Sequence, residues 1–407
     1  MDIVLPKELA YSPSLPSLPE CLSQEVVLAP VNGSNFGPSQ LLQFDLVAPG
    51  FIDPSSIYIR YNVKLTNTSA EVSTIRGTPV YSFFNKLETI FGSSIVESIN
   101  NYNIVCNMMT NLQMDQAQKY GMQTAYGWGP VSSVPTLEAF DGRTCLNNDT
   151  ISLAAPLPCI LSSCEKLIPA GLMPNIRIQL TTENVATMFG ATTPPTAYEL
   201  SNVELCYTMI DFHGDVNDLV RGMGDQFYIK SQSFKNMGAT LASGGTGSTD
   251  LIYNMRLASI KSLFALFSGQ TAAKCFNGAF DSVDPTSGSG DMVYAIAGTN
   301  YPTRSVSTLN NKAAFLMELK KAVGALHSDN YNTSINAIEF NSLDTTTTTG
   351  IAPGKFWFAV NCEKLSSNGA LLTGVSTQSS PISLRISTGT APTQIIMLIL
   401  LHSMMPS

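Results

Sequence analysis

The sequence predicts an all-β molecule built as two tandem eight-stranded jelly rolls, each with a short helix inserted in its loops. Three observations point there. Segment after segment alternates apolar and polar residues with period two, the mark of a half-buried strand. Each half carries about eight such short segments, separated by polar loops, with one amphipathic helix among them. The order of the pieces also repeats: strands, helix, loop-rich stretch, a CEKL tetrapeptide (Cys164–Leu167, then Cys362–Leu365), a proline-led alternating strand and a closing strand. In 407 residues a repeated tetrapeptide is close to an even-odds coincidence, so the repeated order around it carries the argument. An immunoglobulin-like module fits less well, because each half far exceeds ~100 residues and that fold has no place for the helix.

Residues 1–37, rich in Pro, Ser and Gly, read as an extended N-terminal arm, and residues 38–212 as the first roll. LLQFDLV opens it. In IYIRYNVKL, Ile57, Ile59, Tyr61, Val63 and Leu65 fall on one face. ETIFGSSIVESI reads as a strand pair. In NNYNIVCNMMTNLQMDQAQKYG, Val105, Met108, Met109 and Leu112 stand at helical spacing, with Asn100 or Asn101 as start and Gly121 as stop. NIRIQL and NVELCYTM close the roll, with Ile176, Ile178 and Leu180, then Val203, Leu205 and Tyr207, facing inward.

Residues 213–224 read as a linker helix and residues 225–407 as the second roll. QFYIKSQSF is a short strand, and LIYNMRLASIKSLFALF a long apolar strand or a bulged pair. NNKAAFLMELKKAVGAL is a helix with Phe315, Leu319, Ala322 and Leu326 on one face. INAIEF, KFWFAV, ISLRIS and IIMLILL read as the remaining strands. The loops GGTGSTD, DPTSGSGD and TTTTTG are candidates for an outward-facing crown.

Composition narrows the function. Charged residues make up only 13% of the chain, against about 25% in a typical soluble domain, so much of the surface is either neutral and polar or covered by other proteins. A net charge of −8 with no Lys/Arg run argues against direct nucleic-acid binding. No apolar run approaches the ~18 residues of a membrane-spanning helix, and the N-terminus has no secretory pattern. The eight scattered cysteines read as free thiols in a reducing compartment.

Catalytic patterns are missing: there is no nucleophile elbow, zincin motif or phosphate loop. No cofactor is expected. The densest polar group is DFHGDVND, with Asp211, His213, Asp215 and Asp218 as candidate ligands for a divalent metal. Capping of the linker helix by the same Asp and Gly residues is the stronger reading. Trp128 and Trp357 suit core or interface anchors better than sugar-stacking platforms.

From about residue 38 onward the chain resembles the double jelly-roll major capsid proteins of the tectivirus–adenovirus lineage, most of all those of virophages and polinton-like viruses. The segments that carry the resemblance are FDLVAPGFIDPSSIYIRYNV, FNKLETIFGSSIVESINNYNIVCNMM, ELSNVELCYTMIDF, RLASIKSLFALF, NYPTRSV, AAFLMELKKAVG and VNCEKLSSNGALLTGVSTQSSPISLRI. The closing LILLHSMMPS departs from the polar Asp/Tyr tail frequent in that family. The resemblance implies a non-enzymatic virion subunit, assembled inside the host cell: a homotrimeric, pseudo-hexagonal capsomer tiling an icosahedral shell around a DNA genome. Implied partners are neighbouring capsomers, penton and minor capsid proteins, and an internal lipid membrane. The alternative is a carbohydrate-binding, lectin-like spike, which calls for exposed aromatic clusters or acidic calcium loops.

Overall fold

Alternation in the sequence becomes antiparallel pairing in the structure. The computed structural model describes residues 20–404 except 48, 67–72, 129–141, 146–147, 149, 189–195, 213–221, 223–228, 242–246, 270–281, 287, 310–311, 327–332, 342–353, 365–372 and 389–393. The first roll comprises β1 (Cys21–Leu28), β2 (Leu41–Leu46), β3 (Tyr58–Thr66), β4 (Phe84–Phe91), β5 (Ser94–Asn100), β6 (Thr150–Pro156), β7 (Ile176–Thr182) and β8 (Ala197–Phe212). The second comprises β9 (Ser231–Leu241), β10 (Gly247–Tyr253), β11 (Ile260–Gly269), β12 (Asp291–Ile296), β13 (Thr299–Ser307), β14 (Trp357–Asn361), β15 (Ile382–Thr388) and β16 (Gln394–Met404).

The first roll pairs its strands in the orders β1-β8-β3-β6 and β2-β7-β4-β5, and the second in the orders β9-β16-β11-β14 and β10-β15-β12-β13. Adding eight to every number of the first roll gives the second. Each roll is thus a long antiparallel ribbon, first strand with last and fourth with fifth, wrapped into two facing sheets. The chain is a double jelly roll.

The inner faces follow the period-two pattern. Ile59, Tyr61, Val63 and Leu65 of β3, Leu42, Phe44 and Leu46 of β2, and Ile176, Ile178 and Leu180 of β7 are all buried. Val203, Leu205 and Tyr207 of β8 join them. In the second roll, β11 and β14 are buried on both faces. There α3 (Ala313–Ala322) lays Phe315 against Phe356 and Phe358, with ring centroids 5.2 and 5.1 Å apart. That cover explains why SLFALF and FWFAV read as continuous apolar runs.

Among the described residues, single helical turns such as Pro79–Ser82 and Val185–Met188 aside, helices lie between the fifth and sixth strands of each roll. The first roll has two there, α1 (Tyr102–Gln113) and α2 (Gln116–Tyr126), where a single helix ending at Gly121 was expected. The cause is Asp115. Its carboxylate accepts from the Gln118 N–H at 2.7 Å and the Gln118 side chain accepts from the Asp115 N–H at 3.0 Å, so a capping box starts a new helix. Gly121 lies inside α2, which ends instead at Gly127, a residue in the left-handed region at φ 81°.

Four other expectations need correction. Cys21–Leu28, placed in the extended arm, is β1, paired with β8 from Cys21–Phe212 to Leu28–Leu205. Its exposure on both faces hid it, since only Val26 and Leu28 pack on the core. LIYNMRLASIKSLFALF divides into β10 and β11, which lie in different sheets. Gly247–Asp250 of the GGTGSTD loop belongs to β10. In INAIEF, Ala337–Asn341 is a helical turn opened by reciprocal Asn336–Glu339 bonds, not a strand. The linker helix, 213–224, and the TTTTTG loop fall almost wholly outside the described residues.

Candidate functional site: a junction and two open flanks

Of the predicted polar constellation, one member lies within the described residues. Asp211 sits near the end of β8, opposite Leu22, while His213, Asp215 and Asp218 lie outside the described residues. Among the described residues no three His, Cys, Asp or Glu side chains cluster as metal ligands. No described helix is long and apolar enough to cross a membrane.

The buried cysteines among the described residues are poor nucleophiles. Cys106, Cys159, Cys206 and Cys362 are buried free thiols, and Cys21 is exposed. Burial pushes the thiols of Cys159, Cys164 and Cys362 up to about 12, which leaves almost no thiolate near neutrality. Both tryptophans are core residues. Trp357 is fully buried, and the Trp128 indole N–H donates to the Gly77 carbonyl at 3.1 Å. Neither offers a face to a sugar.

DPTSGSGD turns inward instead of forming a crown. Asp284 accepts from the Thr286 N–H at 2.9 Å, the Thr286 hydroxyl at 2.7 Å and the Gly288 N–H at 3.0 Å. Lys312 Nζ stands 3.5 Å from its carboxylate and 4.9 Å from the Phe356 ring centre, and burial lowers the affinity of that amine for its proton. Lys355 and Glu339 form a second buried pair at 2.7 Å. Both pairs tie segments of one roll together, so they are structural.

What the fold does assemble is a junction between rolls. Glu97 of β5 is 3% exposed. Its carboxylate accepts from Thr89 at 3.0 Å, from the Ile160 N–H at 2.9 Å and from the hydroxyl of Ser233 on β9. Next to it, the Asn236 side chain donates to the Asn100 carbonyl. Ser163, in the turn between β6 and β7, meets the outer edge of β9 twice. Its hydroxyl donates to the Gln232 carbonyl at 2.6 Å and accepts from the Gln232 N–H at 2.9 Å. Lys230, one residue before β9, pairs with Glu165 at 3.2 Å. A further contact lies between the helical insertions, where the Ser334 N–H and hydroxyl both donate to the Asn111 carbonyl at 3.1 Å. Burial raises Glu97 above the ordinary carboxylate range, opposed by its hydrogen bonds.

Two flanks stay open. β1 is exposed over Cys21–Glu25, with Leu22 54% and Val27 43% exposed. β13 is exposed along most of its length. Both CEKL copies lie between the sixth and seventh strands of their roll, but Cys362 directly follows β14 whereas Cys164 lies several turns beyond β6. Sequence reading found neither junction nor flanks, because the participants are scattered serines, asparagines and one glutamate that no motif links.

No known family profile matches the chain, and no curated protein matches it in sequence. Solved structures do. The major capsid protein of Faustovirus superposes with a TM-score of 0.64 at 7% identity, over 98% of this chain and 92% of that one. A chain of the Sputnik virophage structure matches at 0.60 and 10% identity, over 100% and 91%. The PBCV-1 virus capsid matches at 0.59 and 9% identity, over 97% and 96%.

Proposed function

We propose that this chain is a viral major capsid protein, the subunit of pseudo-hexagonal homotrimeric capsomers that tile an icosahedral shell around a DNA genome. One observation carries the reading: an identical eight-strand order occurs twice in one chain, side by side, in a fold shared over nearly its whole length with capsid proteins. Three such chains supply six similar rolls, and a six-cornered block tiles a surface with one kind of subunit. The role is surface matching without catalysis. A low charge fraction suits it, because flanks with few charges lose little hydration energy when neighbouring copies cover them. Neighbouring capsomers, penton and minor capsid proteins and an internal lipid layer are the partners of such a block in the virion. Repulsion between an acidic chain and phosphate leaves genome contact to other components.

The test is native mass measurement with electron microscopy of the purified chain. Trimers that grow into hexagonal sheets or shells are expected. A monomer at every concentration, retained on immobilised glycans, overturns the proposal in favour of a lectin-like spike.

A further inference from the structure

One buried amine of the second roll makes no hydrogen bond. Lys312, the residue before α3, is 8% exposed, and its Nζ is buried without an acceptor in bonding geometry. It stands 3.5 Å from the carboxylate of Asp284, whose side chain is fully buried, and 4.9 Å from the centre of the Phe356 ring. An ammonium there lacks the hydration and the direct bonds that hold its third proton, and burial lowers its proton affinity. The second buried pair differs. Lys355 donates to Glu339 at 2.7 Å, so its ammonium is satisfied and its nitrogen has no free lone pair.

The Asp284 carboxylate is held still by its other neighbours. Oδ1 accepts from the Thr286 N–H at 2.9 Å and the Thr286 hydroxyl at 2.7 Å, and Oδ2 accepts from the Gly288 N–H at 3.0 Å. The two segments that carry Asp284 and Lys312 are also fastened to each other. The Thr308 N–H donates to the Gly290 carbonyl at 2.8 Å, the Gly290 N–H donates to the Thr308 hydroxyl at 3.0 Å, and the hydroxyls of Thr286 and Thr308 lie 2.6 Å apart. A Cβ at Gly290 would collide with the Ser387 carbonyl and the Thr286 side chain, so this packing leaves no slack. Amine and carboxyl are thus held close together away from bulk water, the arrangement that an amide-forming condensation needs.

We infer that Lys312 and Asp284 condense to an isopeptide bond, a covalent clasp between the β11–β12 connection and the start of α3. Lys312 passes one proton to Oδ2, which sets an amine against a carboxylic acid. The nitrogen lone pair then forms the N–C bond at Cγ, and negative charge moves to Oδ1, between the two Thr286 donors. A second proton passes from nitrogen to Oδ2, the Cγ–Oδ2 bond breaks, and water leaves. No oxidant, metal or second substrate takes part. The product buries a neutral amide where two charges stood, and it closes a loop around the β12–β13 hairpin that restricts the unfolded chain as other cross-links do. The bond forms within a single copy and so does not depend on the shell reading.

The test is mass spectrometry of the full folded chain, incubated at neutral pH and then denatured. The parent is expected to weigh one water less than its sequence. Tryptic cleavage after Arg304, which lies between Asp284 and Lys312 in the chain, should leave the two pieces joined. Lys312→Arg and Asp284→Ala should each show the full sequence mass and separate pieces. Asp284→Asn keeps the shape and the electrophile, so it should lose one ammonia instead and give the same joined peptide. Lys355→Arg should still lose water. A folded parent at full sequence mass with separable pieces overturns the isopeptide assignment. So does a water loss that persists in Asp284→Ala or maps to another residue, as a succinimide would.

Discussion

Glu97 has three hydrogen-bond donors and, among the described residues, no cationic partner. Its folded-state affinity for a proton is raised, so the stability it contributes is fully present below the unfolded value near 4.5 and is lost as pH rises through the higher folded value. Chemical denaturation between pH 4 and 8 should therefore show stability falling with pH in the parent and a flatter profile in Glu97→Gln. The amide keeps the shape, accepts from Ile160 and Thr89, and donates to Ser233. Glu97→Ala leaves the Ile160 N–H buried without a partner and should cost about 2–4 kcal/mol at any pH. None of this was legible in SSIVESIN. The alternation places Glu97 on the same face as Ile99, and donors from distant segments, the Ile160 N–H and Ser233 of the other roll, together with Thr89, make a carboxylate tolerable there.

At the scale of elements, the capping box and Gly127 decide where the first helical insertion bends and stops. Asp115→Ala should cost about 1 kcal/mol. Gly127→Ala should cost at least as much, since a Cβ there meets Leu153 and the backbone is left-handed. Thermal melts of the two variants check both. Strands β3, β7 and β8 were readable because one face is buried and the other wet. β1 was not, because only Val26 and Leu28 of CLSQEVVL pack on the core. β10 and β11 merged in the reading because double-sided burial of β11 removes the alternation that would have marked their boundary. One detail of the repeat also needed the structure. Arg177 pairs with Asp45 across β7–β2 at 2.6 Å, and Arg385 with Asp250 across β15–β10 at 2.8 Å, the same strand pair in each roll.

At the scale of the molecule, two rolls of one design are joined by hydroxyl, amide and carboxylate contacts, and their buried apolar residues belong to one continuous cluster. Ser163→Ala with Ser233→Ala should uncouple them, turning a single calorimetric unfolding transition into two or widening the interval between two already present. Retention of one sharp transition would mean that the coupling runs elsewhere, through Asn111 and Ser334. The two-copy plan could be read from the order of elements. The direction in which the copies join could not, since it depends on which faces the insertions leave bare. The position of β16 has a temporal corollary. It lies between β9 and β11, so β9 stays unjoined to the rest of its sheet until residue 404 has left the ribosome, whereas the first roll can close once residue 212 has emerged. A translating ribosome thus carries a finished half and an unsealed half at once, and a stop codon shortly before residue 394 would yield one intact roll with a partner split down its middle.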